Sequence, residues 1–340
     1  MDREQKRPEG PILITAGDPA GVGPELLHPL VSEYRASGPS ILIFHTNPSQ
    51  KLVEAYENAS GRDVLRLHYG DFERNEALAR AMNSPGQVAV IEPDGDGVEI
   101  GKPSPESGRR SFLALSTACD WIAEHGCGGL LTAPLSKEHV HLSGQTGFSG
   151  HTGYLAERFN ARPVMLMHGK GFSVLPLTVH IPLRLVPEQL AQVIQDDHLI
   201  DQIAWIMDRP AYENGKIALC GLNPHSGEGG LLGTEELDFL QDFAARLRNR
   251  NLPIEGPLSA DGLFVDHVRR QYRLILACYH DQGLIPFKSL EGMDGINVSV
   301  GLPFLRSSPD HGTAFTLAGK NQAHAGSMIR AYRALISGEL

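Results

Sequence analysis

The chain lacks most of what would place it outside the cell or on a nucleic acid. Its 340 residues hold four cysteines, Cys119, Cys127, Cys220 and Cys278, with no C-x-x-C pair. That pattern excludes a disulfide scaffold or a zinc ribbon and implies buried, reduced thiols in a cytoplasmic protein. No apolar run approaches the roughly twenty residues of a membrane span, and the first ten residues carry no apolar signal core. Basic residues are the minority: 30 Lys and Arg stand against 40 Asp and Glu, for a formal net charge of -10. A nucleic-acid or anionic-membrane partner would favour the opposite sign, so neither is expected. Anionic small molecules stay compatible, because a few local cations decide such sites. Internal repeats, low-complexity tracts and long linkers are missing too. So are the Walker A motif and a clean G-x-G-x-x-G, the common glycine signatures for bound phosphates. The chain is too long for one small core, and one large domain or two closely joined ones are expected.

What is present is an alternation. Apolar runs at 12–15, 41–45, 64–67, 88–91, 129–132, 172–177, 217–220 and 274–278 read as strands. Helical patterns cover 49–58, 107–124, 136–142, 151–159, 187–195, 198–208, 234–250 and 326–337, and another helix starts at Pro24. Strands alternating with helices predict an α/β protein with mostly parallel sheets, in two lobes with a cleft between them. The expected lobes are residues 10–134 with 303–340, and residues 135–302. Gly-rich segments near Pro134 and Gly301 are the crossovers.

Three segments set a histidine just after an apolar run: Thr178-Val179-His180-Ile181-Pro182-Leu183, Gly221 to Gly230 around His225, and Tyr279-His280-Asp281-Gln282-Gly283. Three imidazoles at strand ends can converge on one divalent ion and leave positions open for a substrate. A lone histidine among fifteen has many other uses; the shared context singles out His180, His225 and His280. Neutral imidazoles favour zinc, cobalt, nickel or iron, and an open site with substrate oxygens also accepts magnesium or manganese.

Other segments have two readings each. Gly17-Asp18-Pro19-Ala20-Gly21-Val22-Gly23 is either a tight strand-to-helix turn or a loop whose amides line a site. Ser136 caps a helix, and Lys137 beside it is a surface residue or a group that holds an anion or moves a proton. His151 and Thr152 at a helix start could bind phosphate, or Thr152 merely caps the helix. Lys288, Asn297 and Arg306 together supply an anion clamp. The His311-Gly312-Thr313-Ala314 turn, followed by Ala318-Gly319-Lys320-Asn321, resembles the adenine-side loop of the isopropylmalate and isocitrate dehydrogenases. Those enzymes bind NAD or NADP without a Rossmann fingerprint.

Taken in order, Gly17 to Glu25, Gly150 to Thr152, His180 to Leu183, Gly221 to Gly230, Tyr279 to Gly283, Asn297 to Arg306 and Asp310 to Ala314 resemble the 4-hydroxythreonine-4-phosphate dehydrogenase family of pyridoxal phosphate biosynthesis. The resemblance implies oxidation of 4-phosphohydroxy-L-threonine at its 3-hydroxyl by NAD or NADP, and decarboxylation to 3-amino-2-oxopropyl phosphate. It implies one divalent metal on His180, His225 and His280. Substrate contacts would come from His151, Thr152, Lys288, Asn297 and Arg306. It also implies a homodimer with the site at the subunit interface. Lys137 and Asp281 are the candidates for proton transfer or for orienting a metal ligand.

The chain departs from the family pattern at four places. Gly153 follows His-Thr where glutamate is common, Gly262 stands in Ser259-Ala260-Asp261-Gly262 where threonine is usual, Leu231 follows Gly-Glu-Gly-Gly where histidine is common, and Phe315-Thr316-Leu317 lacks the usual aspartate. These bear on substrate and cofactor preference. A catabolic relative acting on 4-phospho-D-threonate or 4-phospho-D-erythronate is the alternative. Lys288, Asn297 and Arg306 argue for a phosphorylated substrate over a dihydrodiol. A non-catalytic metal- or nucleotide-binding regulator that kept the fold is the reading from a different class.

Overall fold

A computed structural model describes residues 10–45, 49–69, 76–92, 98–338 and 340. The chain divides into two compact units, Met1–Pro163 with Gly301–Gly338, and Val164–Val300 with Glu339–Leu340. Residues 135–163 therefore pack with the first unit. The first unit holds strands β1 (Ile12–Thr15), β2 (Ile41–Phe44), β3 (Leu65–His68), β4 (Val88–Glu92) and β5 (Gly129–Thr132). The second holds β6 (Val164–His168), β7 (Ser173–Pro176), β8 (Ile217–Cys220), β9 (Ile254–Leu258), β10 (Leu274–Ala277) and β11 (Ile296–Val300), and β12 (Arg306–Pro309) belongs to the first.

In the first unit the order is β3-β4-β2-β1-β5-β12, and every pair is parallel. Ile12 faces Ile41 on one side and Gly129 on the other. Strands covered on both faces read as unbroken apolar runs, and β1, β2 and β5 are fully buried along their length. The edge strand β3 alternates partly buried Leu65 and Leu67 with exposed Arg66 and His68. The long helix Pro105–His125 starts at Ser104, whose hydroxyl accepts from Ser107 N while Ser107 Oγ accepts from Ser104 N. That reciprocal cap and Pro105 in the first turn fix where the helix begins. Its buried face, Ala114, Leu115, Ala118, Cys119, Trp121 and Ile122, packs in one cluster with Leu13, Leu42, Phe44 and Leu130.

The second unit runs β11-β6-β7-β10-β8-β9. The pairs β7-β10, β10-β8 and β8-β9 are parallel, whereas β11-β6 and β6-β7 are antiparallel. The α/β class with mostly parallel strands is what the alternation predicts; the antiparallel trio is an addition. β6 (Val-Met-Leu-Met-His) and β11 (Ile-Asn-Val-Ser-Val) carry strand patterns that the expected strands do not include, whereas β9 and β12 carry none. β9 reads Ile-Glu-Gly-Pro-Leu and β12 reads Arg-Ser-Ser-Pro, neither with an apolar run. The thiols of Cys119, Cys220 and Cys278 are buried, and burial pushes that of Cys220 up to about 12. Among the described residues no helix is long and apolar enough to cross a membrane.

Candidate active site

Sequence-selected residues of the first unit gather where its parallel strands end, the usual place for ligands on an open α/β sheet. β1 runs into Gly17, and its turn lies against the segment after β5: Asp18 N donates to Pro134 O. The amides of Asp18, Ala20, Gly21 and Val22 are all engaged, by Pro134 O, Asp18 Oδ1, Asp18 O and Thr313 O. This is the tight-turn reading, with no row of free amides left to cradle a phosphate.

Ser136 caps the helix Lys137–Leu142 as expected. At Gly150 the backbone has φ 104°, and an added Cβ would lie 2.5 Å from Lys137 Cε. The absent side chain thus lets Lys137 lie across the start of helix His151–Arg158. The N-cap of that helix is Gly150, so Thr152 does not cap it. His151 Nε2 is enclosed and has no hydrogen-bond partner. Burial, then the charges of Arg306 and Lys137, push the His151 imidazole well below its ordinary value, so it is neutral. Arg306 on β12 is 3% exposed and donates from Nε and Nη2 to Thr132 Oγ1 at 3.0 and 2.6 Å. Burial pushes it down to about 10, which leaves it cationic at neutral pH. A neutral imidazole near two cations at a helix start is an arrangement that could hold an anion.

The turn 311–314 lies beside the turn 17–23. Val22 N donates to Thr313 O, Ala314 has φ 42° and Asn321 φ 52°. His311 Nδ1 contacts Gly312 O, and its Nε2 is enclosed without a partner. Next to this turn is a cavity of about 210 Å³ lined by Glu25, His28, His45, Ser49 and Asn321, among others. A larger cavity of about 380 Å³, lined by Glu33, Arg35 and Tyr332, sits at the opposite strand ends and holds none of the selected residues.

In the second unit the three histidine turns leave the ends of adjacent strands β7, β10 and β8. His180 and His280 have ring centroids 5.4 Å apart. His280 Nδ1 is 2.7 Å from Asp281 Oδ1. An imidazole whose Nδ1–H is given to a carboxylate presents its Nε2 lone pair, the usual arrangement of a metal-binding histidine. His180 has φ 52°; His225, Ser226, Gly227, Glu228 and Gly229 are left-handed in succession. Each non-glycine residue in that region costs about 1–2 kcal/mol, so neighbours must impose it. The Asp261 carboxyl is held below its ordinary value chiefly by Ser259 Oγ, then by the Gly262 amide, and to a smaller degree by His225. Among the described residues, no three His, Cys, Asp or Glu of this one chain come together closely enough to hold a metal ion. His180 and His280 are assembled; His225 does not complete the group with them.

The turns are braced to one another. Thr178 Oγ1 donates to Cys278 O, and Gln282 accepts from Cys278 N and donates to Gly221 O, each at 2.7 Å. Lys288 is exposed on the helix His280–Glu291 that His280 opens. Asn297 sits on β11 with its Oδ1 enclosed and unpartnered. Sequence reasoning missed Asp18, Thr132 and His139. Asp18 is fully buried with Oδ2 unpartnered, and burial raises its carboxyl against a hydrogen bond from Ala20 and interactions with Ser107 and His139. His139 contacts Ser136 Oγ at 2.7 Å and the Phe315 ring. An acid inside an otherwise apolar strand-to-helix turn was the visible signal for Asp18.

The family described as "Pyridoxal phosphate biosynthetic protein PdxA" matches residues 46–335. A 4-hydroxythreonine-4-phosphate dehydrogenase of Zymomonas mobilis is 34% identical over 94% of this chain and 93% of that protein. A D-threonate 4-phosphate dehydrogenase of Bordetella bronchiseptica is 34% identical over 94% of this chain and 90% of its own length. The solved 4-hydroxythreonine-4-phosphate dehydrogenase of Klebsiella pneumoniae is 30% identical with a TM-score of 0.74, covering 98% of this chain and 99% of that one. In fold alone, a β-decarboxylating dehydrogenase of Thermococcus kodakarensis is similar, at a TM-score of 0.50 and 11% identity over 96% of this chain and 82% of that one.

Proposed function

The chain belongs to the PdxA family of pyridoxal phosphate biosynthetic proteins, and from that premise we propose that it oxidises the 3-hydroxyl of 4-phosphohydroxy-L-threonine with NAD or NADP. The β-keto acid then loses carbon dioxide to give 3-amino-2-oxopropyl phosphate. The observation that carries this reading is the His180–His280 pair beside a third, strained histidine turn. The donor set fits a divalent cation: imidazoles, one of them with its Nδ1 against a carboxylate. His180, His225 and His280 would hold the ion, and the homodimer implied by the family lets a set be completed by two subunits. A divalent ion and a nicotinamide supply, when bound, the Lewis acid and the hydride acceptor.

The chain's own groups divide the remaining work. Arg306 and Lys137 hold anionic substrate groups, and Thr132 fixes the guanidinium through its hydroxyl. His151, neutral and with Nε2 unengaged, hydrogen-bonds a substrate oxygen. Thr152, Lys288 and Asn297 are the further substrate contacts we assign. Asp281 is spent on orienting His280, which leaves Lys137 as the group assigned to move a proton at the substrate hydroxyl. The 311–314 turn with Asn321 takes the nucleotide.

A second reading keeps the chemistry and changes the substrate to D-threonate 4-phosphate or its erythronate isomer. The relative named for D-threonate 4-phosphate is as similar as the one named for 4-hydroxythreonine phosphate. At Gly153 an added Cβ would collide with Ser149 Oγ, so the glutamate common there in the family has no counterpart.

The test is reduction of NAD+ or NADP+ followed by absorbance, with divalent metal and each phosphorylated substrate in turn. Turnover that is strongest with the amino acid, lost with a chelator and restored by cobalt supports the first reading. Turnover only with the sugar acids supports the second. No turnover with any of them sinks both. His225→Ala abolishes activity if the chain is an enzyme; a non-catalytic regulator has none to lose.

A further inference from the structure

We propose that Glu236 is the positioning residue for His225. This rests on the reading of His225 as a metal ligand. The left-handed run from His225 to Gly229 needs an agent that imposes it, because the chain would otherwise relax to ordinary turns. Glu236 supplies that agent. It is 2% exposed, and its two oxygens accept from both donors of one residue: Oε1 from Asn223 N at 2.8 Å and Oε2 from Asn223 Nδ2 at 3.0 Å. Asn223 stands two residues before His225 and accepts from Ser226 N through its carbonyl. The carboxylate thus grips the residue from which the left-handed turn departs.

The packing leaves the grip no slack. A Cβ at Gly227 would sit 2.7 Å from Glu236 Oε2, one at Gly221 would sit 3.1 Å from Glu236 Oε1, and one at Gly233 would meet the Asn223 side chain. Three glycines therefore surround the Glu236–Asn223 contact, and each is glycine where a side chain would push the two apart. Glu236 also opens a π-helical turn, Glu236–Leu240. Such wide turns are rare and are frequent at functional sites. Among the described residues both oxygens accept only from Asn223, whose side-chain amide also donates to Glu235 Oε2 at 2.6 Å. The contact makes a demand that a neutral amide meets poorly. That demand is two acceptors facing two donors: glutamine offers one acceptor and one donor.

The test uses full-length apo protein and its cobalt-loaded form. Glu236→Ala should speed amide exchange across residues 223–232 by about tenfold or more, while exchange elsewhere is unchanged. Glu236→Gln keeps one acceptor and should give a smaller acceleration. Cobalt affinity, read from visible absorption, should fall by about tenfold in Glu236→Ala, with kcat lowered more than KM for the nucleotide is raised. Unchanged exchange in Glu236→Ala overturns the proposal, and so does faster exchange with undiminished cobalt affinity. Wild-type protein that binds no cobalt sinks the metal assignment instead, and the exchange measurement alone then decides whether Glu236 holds the turn.

Discussion

Gly150 shows how much one side chain can decide. Its φ of 104° is open to glycine, and the missing Cβ is the space that Lys137 fills. Gly150→Ala should displace Lys137 and strain the helix start together. We expect kcat/KM to drop about 100-fold, in keeping with a misplaced catalytic group, with a stability loss of about 1–2 kcal/mol. Steady-state kinetics and a urea midpoint check this, and undiminished turnover in a folded variant would remove Lys137 from the machinery. At this scale much of the candidate site was legible. Lys137, His151 and Arg306 stand out by residue type and context, and they do gather in one unit. Thr132 was not legible, because a strand-end threonine is common, and Asp18 gave only the weak signal of an acid in an apolar turn. Only the folded arrangement shows one receiving a buried guanidinium and the other losing its solvent.

Among elements, the parallel strands were readable because a strand covered on both faces must be apolar throughout. β9 and β12 were not, since their burial depends on what lies beside them; β6 and β11 have strand patterns and were missed. Arg306 and Asn297 of the expected anion clamp sit on strands. The histidine turns depend on the same long-range logic. Gln282 bridges the end of β10 to the end of β8, using both ends of its amide at 2.7 Å. Gln282→Leu should strip partners from Cys278 N and Gly221 O and cost about 2–3 kcal/mol. Gln282→Glu keeps the acceptor and loses the donor, so it should fall between. A urea series on the three proteins tests the ordering; a Leu variant as stable as the parent would show the bridge to be dispensable.

For the whole molecule, pH should act through imidazoles buried neutral. His45 is 3% exposed, and burial pushes it down to about 3, with a smaller push from His28. Its ordinary value is 6.5. Between those values the unfolded chain binds a proton that the folded chain refuses. Stability is therefore highest above pH 6.5 and declines as pH falls toward 3. One such group removes about 2 kcal/mol between pH 6.5 and pH 5. Urea midpoints across that range, with His45→Gln showing a shallower decline, make the comparison; equal slopes would assign the acid sensitivity elsewhere. By itself the sequence determined the α/β class, the family and the residue types of its chemistry, because these follow from short-range pattern: apolar runs, turn residues and histidines in fixed contexts. Only the tertiary structure decided that residues 135–163 pack with the first unit, that His180 and His280 pair while His225 does not complete the group, and that a buried glutamate accepts from Asn223 two residues before His225. The reason is that bracing and backbone strain are set by partners distant in the chain, which no local pattern encodes.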